Sequence, residues 1–408
     1  MTVSTAARHV AMAVYGDVSH DARVMREAVT LASAGYRVTI LCLPGGVVPD
    51  LGNRVDVRTF EPRRSRVRPG SASPYATTRR ARSLARRLGW VVAYVANLKA
   101  WGRWAVNEVE ADIWHAHDLP ALEAITAVLD KVTSVYDSHE LYLEAGTPAR
   151  LPHVLRRLLR WRESRLISRV DAVITVNPSI AHELSERYGV KPTVVMNCPP
   201  RPIATPAGVM RQTLELGERP VVMYHGGVSP DRGIETMLGA LPLLPESVTF
   251  VVLGDGSLGH ERVADENDDR VRWHPAVPVG DLARWLVDAD IGVILFAPVE
   301  LNNVLATPNK LFEYMSAAVP VVVSRFPELE RIVTETGCGT TVDPTDPNDV
   351  AAAIRSLLAD DDRRRRSGRN GFAAAQDRYN WETQAELLLG VYHDLPPSID
   401  RTATREPR

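Results

Sequence analysis

The chain has 408 residues, a length that favours two or three domains. Its hydrophobic content of 45% and its charged content of 24% are typical of a soluble globular protein. No apolar run reaches the roughly 20 residues that a membrane-spanning helix needs, and residues 1–9 lack the pattern of a secretory signal. The three cysteines are far apart and match no metal-binding spacing, so we expect free, buried thiols in a reducing cytoplasm.

Charge is distributed unevenly along the chain, although the net charge is only −2. Residues 1–195 have a net charge of +8, and residues 196–408 have a net charge of −10. Such asymmetry indicates two domains with different partners. Residues 192–206 are rich in proline, which indicates a stiff linker. We therefore predict an N-terminal domain over residues 1–198 and a C-terminal domain over residues 205–379.

The chain begins with a predicted βαβ unit. Its elements are a buried strand at residues 9–15, a helix at residues 22–34 and a second strand at residues 37–43. Asp21 is expected to cap the helix. The loop before it contains Gly16, Asp17 and His20. Because open α/β sheets bind ligands beyond the carboxyl ends of their strands, this loop is predicted to lie at a binding site.

Two predicted helices of the first half, at residues 79–110 and 154–169, are strongly basic. One interpretation is that their arginines solvate the outer faces of packed helices. The alternative is contact with an anionic membrane surface or a phosphate-bearing acceptor. Nucleic acid is not an expected partner, because no nucleic-acid motif is recognised and the whole chain is slightly acidic.

Polar groups stand at the ends of successive predicted strands in the first half. One strand runs into His117 and Asp118, and the next, at residues 132–136, is followed by Asp137, Ser138, His139 and Glu140. Parallel strands place these ends at one edge of a sheet. The cluster therefore favours a functional site over histidines that have only a structural role. A metal is disfavoured there, because no cysteine or further convincing ligand accompanies His115 and His117.

Glycine-rich turns follow two predicted strands of the second half. Gly226 and Gly227 follow the strand at residues 220–225, and Gly254 follows the strand at residues 248–253. Glycine lets backbone N–H groups approach a phosphate or a sugar closely. Each turn alone is a weak signal, because glycine is common at turns.

A helix with an anion site at its tip is predicted to begin at Thr307, which can cap it, with Pro308 in the first helical position. The exposed N–H groups and the positive helix end attract an anion, and Lys310 adds a full cation. Asn309 and Glu313 share one face, roughly 5–6 Å apart. This arrangement suits a nucleotide diphosphate at the tip and its ribose one turn along. The alternative is an ordinary capped helix with a surface lysine and glutamate.

This helix carries the best match to a known family, in the run Pro308-Asn309-Lys310-Leu311-Phe312-Glu313-Tyr314. It resembles the bacterial retaining glycosyltransferases of family 4, which have the GT-B fold. The other similar segments are residues 115–118, 136–140, 226–233, 254–256, 289–293 and 317–322. The resemblance extends over about residues 9–393. It implies an α/β protein of two Rossmann-like domains, whose parallel sheets face a central cleft and whose last helix, about residues 380–395, crosses back to the first domain.

The resemblance also implies transfer of a sugar, with retention, from a UDP- or GDP-type donor to a hydroxyl acceptor. The acceptor would be a small molecule, a glycan or a lipid-linked glycan, in cell-surface glycan, glycolipid or natural-product biosynthesis. Glu313 matches the glutamate at the ribose, Arg232 the cation on the diphosphate, and His117 the histidine near the donor sugar. The predicted catalytic residues are His117, Arg232 and Lys310. The predicted donor-binding residues are Gly16, Gly226, Gly227, Gly254, Thr307, Asn309 and Glu313, and the predicted acceptor-binding residues are Asp17, His20, Asp118, His139 and Glu140.

The chain departs from the family at two positions. Leu305 stands where the first of two glutamates is expected, and Gly227 stands where the family usually has an arginine. We expect Lys310 to replace the arginine's charge. Backbone N–H groups near residue 305, or Asn302 and Asn303, are expected to replace the contacts of the glutamate.

No metal and no cofactor other than the nucleotide sugar is expected, because two cations and a helix dipole can stabilise a leaving diphosphate. Two alternatives stay open: a nucleotide-sugar epimerase or phosphorylase on the same fold, and a non-catalytic nucleotide-sugar-binding partner. The expected location is the cytoplasm, with peripheral contact at the inner face of the cell membrane left open.

Overall fold

The computed structural model describes residues 7–61, 84–203, 205–206, 208–258 and 270–397 of the chain. The chain divides into two compact units. Residues up to Val195 and those from Ala385 onward form the first unit, and Met196–Gln384 form the second. The divisions predicted from the sequence are residues 198 and 379. All three cysteines are free and buried, as predicted.

The first unit is built on a seven-stranded, parallel sheet. Its strands are His9–Val14 (β1), Arg37–Cys42 (β2), Val55–Thr59 (β3), Ile113–His117 (β4), Thr133–Ser138 (β5), Ala172–Thr175 (β6) and Thr193–Val194 (β7). Its α-helices are Ala22–Ser33 (α1), Leu84–Glu108 (α2), Asp118–Ala124 (α3), Gly146–Ala149 (α4), His153–Ile167 (α5) and Pro178–Tyr188 (α6). The strand order is β3-β2-β1-β4-β5-β6-β7. The order reverses between β1 and β4, and ligands of such sheets bind at that switch point.

The second unit repeats this design with a six-stranded, parallel sheet. Its strands are Val221–His225 (β8), Thr249–Leu253 (β9), Val271–His274 (β10), Ile291–Ile294 (β11), Val321–Ser324 (β12) and Gly339–Val342 (β13). Its α-helices are Val209–Thr213 (α7), Ile234–Ala240 (α8), Val279–Leu286 (α9), Leu301–Leu305 (α10), Asn309–Ser316 (α11), Pro327–Thr336 (α12), Pro347–Leu358 (α13) and Asp361–Asp377 (α14). A last helix, Trp381–Asp394 (α15), continues into the first unit. The strand order β10-β9-β8-β11-β12-β13 reverses between β8 and β11.

Helix α11 is oriented by its apolar side. Leu311, Phe312 and Met315 are buried in the core beside the sheet. This burial leaves Lys310 and Glu313, on the opposite side of the helix, half-buried rather than enclosed. The hydrophobic effect thus fixes the direction in which the polar residues of this helix point.

Two local predictions are wrong. Thr307 does not cap α11: the cap position is Pro308, and no side chain accepts a hydrogen bond there. Strand β5 continues through Asp137 and Ser138, which the sequence analysis placed beyond its end. By contrast, Asp21 caps α1 as predicted, accepting hydrogen bonds from the N–H groups of Arg23 and of the next residue.

The basic helices of the first unit are described in part. Helix α2 is described from Leu84, and predicted helical residues before it lie outside the described part of the chain. Helix α5 begins at His153, close to the predicted start. None of the described helices is both long enough and apolar enough to cross a bilayer.

Candidate active site

The ammonium of Lys310 lies against the turn that follows β8. Gly226 has a φ of +103°, and a Cβ placed there would lie 2.8 Å from the Nζ of Lys310. The backbone conformation therefore favours glycine, and a side chain there would displace the end of Lys310. The Nζ lies 5.1 Å from the ring centroid of Tyr224 and 5.7 Å from that of Phe296, within reach of a cation–π attraction. The glycine turn and the tip of α11 thus meet at this cation.

A second cation lies on the same aromatic ring. The guanidinium carbon of Arg232 is 4.6 Å from the centroid of Phe296. Burial and then the charge of Arg232 lower the pKa of Lys310 to about 8, although Glu313 opposes this shift. Two cations that repel each other form a region of excess positive charge, which an anion such as a diphosphate would neutralise.

Glu313 lies beside a histidine that the sequence analysis missed. Its side chain is 26% exposed, and its Oε2 lies 3.6 Å from the Nε2 of His225. His225 ends β8 and packs edge-on against Tyr314. Burial and then the charge of Lys310 hold the pKa of His225 well below its usual range, so this imidazole is neutral. Its buried Nε2 has no hydrogen-bond partner among the described residues. The signal in the sequence is its place as the last strand residue before Gly226.

The other predicted donor-binding residues of the second unit differ in their surroundings. Gly227 and Asn309 are exposed, and nothing lies within 4 Å of a Cβ placed on Gly227. Gly254 packs against the chain instead: a Cβ there would lie 2.0 Å from the carbonyl oxygen of Gly226, so glycine lets two turns touch. The Oγ1 of Thr307 is buried and has no hydrogen-bond partner within the described ranges.

The position of the missing glutamate lies at the end of α10. Leu305 is the last residue of this helix, and the next residue returns to an extended backbone. Asn302 and Asn303 are half-buried on the same helix. The amide of Asn303 donates to the carbonyl of Ala297 at 3.5 Å, a weak bond that a ligand could displace.

In the first unit, a buried arginine holds a buried carboxylate. Nε and Nη2 of Arg23 donate to the two carboxylate oxygens of Asp137 at 2.7 and 2.8 Å. The Nε also lies 3.0 Å from Glu27, one turn along α1. Despite burial, the charges of Arg23 and His139 keep the pKa of Asp137 well below its usual range. Burial raises the pKa of Glu27 to about 8. At neutral pH the buried ion pair is therefore Arg23 with Asp137.

Three histidines extend this cluster towards the edge of the sheet. His115 and His117 stack with ring centroids 4.3 Å apart. The Nε2 of His139 lies 3.1 Å from the Nδ1 of His117 and 3.0 Å from the Oδ2 of Asp137. Although burial opposes it, the carboxylates of Asp118 and Asp137 raise the pKa of His139 to about 10. Burial lowers the pKa of His117. At neutral pH His139 is therefore charged and His117 is neutral.

Asp118 holds a strained backbone position at the start of α3. Its φ is +62°, which is uncommon for a residue with a side chain. Its carboxylate accepts the backbone N–H of His139 at 2.9 Å and lies 3.6 Å from the Nδ1 of that histidine. Such strain persists where surrounding contacts fix it, and it is frequent at functional sites.

A metal site can be considered at this cluster. Glu27, His115, His117 and Asp137 have ligand atoms that all lie within 4.8 Å of one another. Sequence spacing does not reveal this set, because Glu27 comes from α1. However, the guanidinium of Arg23 lies at both carboxylates, and it would repel a metal cation. The residues therefore fit a polar cluster compensated by arginine better than they fit a metal centre.

The loop after β1 uses Asp17 to hold its own shape. The carboxylate accepts hydrogen bonds from the N–H and hydroxyl of Ser19 at 2.8 and 2.9 Å, and from the N–H of Gly46 at 3.1 Å. Although burial opposes the shift, these bonds lower the pKa of Asp17. The acceptor-binding role predicted for this carboxylate competes with these three bonds.

The remaining predicted residues of the first unit are more open. His20 is exposed, and Glu140 is half-buried after the end of β5. Nothing lies within 4 Å of a Cβ placed on Gly16. The structure thus brings His117, Asp118 and His139 together in one cluster, whereas Gly16 and His20 lie on the loop after β1.

Comparisons with known proteins identify the family of both halves. The family model Glycosyltransferase Family 4 matches residues 22–199, and the model Glycosyl transferases group 1 matches residues 219–360. A D-inositol 3-phosphate glycosyltransferase of Xylanimonas cellulosilytica is 31% identical over 251 residues, which are 56% of this chain and 58% of that protein. A GDP-mannose-dependent alpha-(1-6)-phosphatidylinositol monomannoside mannosyltransferase of Mycolicibacterium smegmatis is 29% identical over 44% of this chain and 50% of that protein. The matches thus span 58% and 50% of the lengths of these two curated relatives.

Solved structures show the same fold. Sucrose-phosphate synthase from Thermosynechococcus elongatus matches with a TM-score of 0.68 and 20% identity, over 95% of this chain and 98% of that one. Anabaena HepE in complex with UDP-glucose matches with a TM-score of 0.68 and 16% identity, over 95% of this chain and 100% of that one. The resemblance and fold class predicted from the sequence are confirmed. The chain belongs to the glycosyltransferases of the GT-B fold, with a family 4 domain in its first half and a group 1 domain in its second.

Proposed function

We propose that this chain transfers a glycosyl group, with retention of configuration, from a nucleoside diphosphate sugar to an acceptor hydroxyl. The observation that carries the proposal is the pair of cations at the ring of Phe296. Arg232 and Lys310 lie there, with Lys310 beside the glycine turn after β8, and their like charges repel each other. A diphosphate has the charge that this region lacks.

The two cations would act on the leaving group. As the bond between the anomeric carbon and the phosphate oxygen breaks, negative charge grows on the diphosphate. Arg232, Lys310 and the N–H groups at the tip of α11 would stabilise that charge, which is electrostatic catalysis. A leaving phosphate oxygen can take the proton of the attacking hydroxyl, so the scheme requires no separate general base.

Glu313 would bind the nucleoside of the donor. Its half-exposed carboxylate is one turn along α11 from the helix tip, so it suits the two ribose hydroxyls. The neutral His225 is a further polar group at this place, and its buried Nε2 has no hydrogen-bond partner in the described part of the chain. Support for Glu313 therefore comes from its position relative to the cations.

His117 would orient a sugar hydroxyl through its Nε2. We propose that the Nε2–H of the charged His139, which lies 3.0 Å from Asp137 and 3.1 Å from the Nδ1 of His117, is shared between these two acceptors. The hydrogen of the neutral His117 would then lie on Nε2. That Nε2 is buried and has no hydrogen-bond partner among the described residues. It is therefore a donor prepared for a ligand oxygen. In this scheme His139 positions His117, a role that differs from its predicted contact with the acceptor.

The donor base and the acceptor remain to be assigned by experiment. One relative is named for GDP-mannose and one solved neighbour holds UDP-glucose, so both donor types are reasonable starting points. A screen of UDP- and GDP-sugars with monosaccharide, inositol phosphate and lipid acceptors should release nucleoside diphosphate only with the correct pair. The anomeric coupling constant of the product, measured by NMR, tests retention.

A second function is favoured by one observation, the leucine at position 305. Loss of the first glutamate could leave a protein that binds a nucleotide sugar without turning it over. Tight binding by calorimetry with no release of nucleoside diphosphate, across the acceptor screen, would support that function. Interconversion of donor sugars without an acceptor would instead indicate an epimerase.

A further inference from the structure

Helix α5 carries apolar side chains on both of its faces. On the inner face, Leu166 is buried beside Glu163. On the outer face, Val154, Leu158 and Trp161 are 84%, 56% and 54% exposed. The outer face of a helix on a soluble domain is normally polar. Packing within the first unit therefore does not explain these three side chains.

The outer side chains form one continuous ridge. Val154, Leu158 and Trp161 are separated by four and then three positions, so they lie along one side of the helix. Arg165 continues the ridge, with its guanidinium carbon 4.9 Å from the ring centroid of Trp161. Leu155, which is 41% exposed, flanks it. From residue 154 to residue 165 the ridge is about 16 Å long.

The charge of this helix is of one sign on its outer side. It contains five arginines and a single acid, Glu163. Three of the arginines pair with acids of neighbouring elements: Arg156 and Arg160 with Glu144, and Arg162 with Glu123. Glu163 is 4% exposed and accepts a hydrogen bond from the hydroxyl of Tyr188, so it faces inward. Arg157 and Arg165 are exposed, and neither takes part in an ion pair within the described part of the chain.

We propose that this outer face, formed by Val154, Leu158, Trp161, Arg157 and Arg165, is a docking surface for an anionic lipid bilayer. Tryptophan and leucine enter the interfacial layer of a bilayer, while arginine lays its stem along the apolar surface and its guanidinium at lipid phosphates. Charge complementarity selects an anionic bilayer over a neutral one. The proposal stands apart from the sugar-transfer chemistry, because none of these residues belongs to either candidate site.

Sedimentation of the whole protein with vesicles tests the surface. One set of vesicles contains phosphatidylcholine alone, and the other contains equal parts of phosphatidylcholine and phosphatidylglycerol. We expect binding to the anionic vesicles only, weakened by added salt. Leu158→Gln with Trp161→Gln, and separately Arg157→Gln with Arg165→Gln, should each lower vesicle affinity about tenfold.

A matched control comes from the second unit. Val279 and Val299 are 75% and 50% exposed, so Val279→Gln with Val299→Gln also replaces two exposed apolar side chains by glutamine, but elsewhere. This control should bind vesicles like the unaltered chain. Equal binding to both vesicle types, or an equal loss in the control, overturns the proposal.

Two further measurements keep the result unambiguous. Analytical ultracentrifugation without lipid detects self-association, and a dimer abolished by the Leu158 and Trp161 changes would assign the ridge to a second copy and overturn the proposal. Circular dichroism and nucleotide affinity should be unchanged in the α5 variants. Vesicle binding is measured without donor or acceptor, so failure of the surface and failure of the proposed activity are distinguishable.

Discussion

Buried charged side chains are compensated in the first unit and left partly uncompensated in the second. In the first unit, Arg23 binds both oxygens of Asp137, and the charged His139 lies against the same carboxylate, so positive and negative groups compensate each other inside the fold. In the second unit, Arg232 and Lys310 lie at one aromatic ring, and the acid that opposes their repulsion, Glu313, is partly exposed.

This difference indicates what each cluster is for. A compensated cluster contributes to the folded state and fixes the geometry and protonation of its members. An uncompensated cluster costs stability in the free protein and regains it when a ligand of opposite charge binds. We therefore expect substitutions in the first cluster to act mostly on folding and those in the second mostly on binding and turnover.

The largest expected effect is the loss of stability when the compensated cluster is broken. Arg23→Gln leaves the carboxylate of Asp137 buried without its guanidinium, which typically destabilises a protein by about 3–5 kcal/mol. Urea unfolding followed by circular dichroism measures this loss. Arg232→Gln is the matched control, since its guanidinium packs on an aromatic ring and forms no ion pair with the described residues, and its unfolding should change little. Equal stability of the two variants would refute the contrast between the units.

The next effect concerns the uncompensated cluster. Arg232→Ala and Lys310→Ala should each lower kcat about 10²- to 10³-fold, because their charges act on the diphosphate as it leaves. Affinity for the nucleoside alone should fall much less. Arg284→Ala, at an exposed arginine of α9, is the control. If both site variants keep turnover near that of the control, the phosphate site lies elsewhere.

Glu313→Ala tests whether this glutamate binds the ribose of the donor. Loss of a charged hydrogen bond costs about 1–3 kcal/mol, which is roughly a tenfold to hundredfold loss of nucleotide affinity. Isothermal calorimetry measures it, and circular dichroism confirms that the variant is folded. Glu330→Ala, at an exposed acid of α12, should bind as the unaltered chain does. Unchanged affinity in the Glu313 variant contradicts the assignment.

The pH dependence of nucleotide binding follows from Lys310. Its pKa is lowered to about 8 in the free protein, and a bound diphosphate should raise it again. Affinity should therefore be constant below pH 8 and fall by up to about tenfold per pH unit above it, with uptake of a proton on binding. Calorimetry in buffers of different ionisation enthalpy measures that proton. Lys310→Met should give a flat profile over the same range, and a sloping one would assign the titration to another group.

The two sheets and the polar face of α11 could be predicted from the sequence, but the buried ion pair of the first unit could not. The alternation of strands and helices predicts both sheets, and the spacing of Lys310 and Glu313 predicts one face of α11. Arg23 and Glu27 also lie four positions apart on the apolar face of α1, but charged residues in a helix usually indicate its solvent side. Asp137 was predicted to lie beyond the end of the strand, whereas it lies buried within β5. A buried charge is predictable only together with its partner, and Arg23 and Asp137 are distant in the sequence.

The cap predicted at Thr307 fails for a different reason. A threonine before a proline matches the common start of a helix, but capping requires that its hydroxyl accept a backbone N–H of the first turn. Here Pro308 occupies the cap position, and the hydroxyl of Thr307 is buried without a partner among the described residues. The local pattern predicts the start of the helix to within two residues. It assigns the wrong hydrogen-bond acceptor to the N–H groups of the first turn.

The smallest expected effect concerns metal removal. Glycosyl transfer should continue in excess chelator, because Arg232, Lys310 and the tip of α11 provide the positive charge for the leaving diphosphate. The group of Glu27, His115, His117 and Asp137 makes this a stringent test, since its ligand atoms converge within 4.8 Å. Arg23 lies at both of its carboxylates, so a metal would have to displace a buried guanidinium. Turnover is measured with and without EDTA, followed by added magnesium, manganese or zinc. Activity that is lost in EDTA and restored by one of these ions would show that the charged cluster of the first unit binds a metal. That cluster would then be a ligand site like the one in the second unit, which would contradict the contrast between the two units.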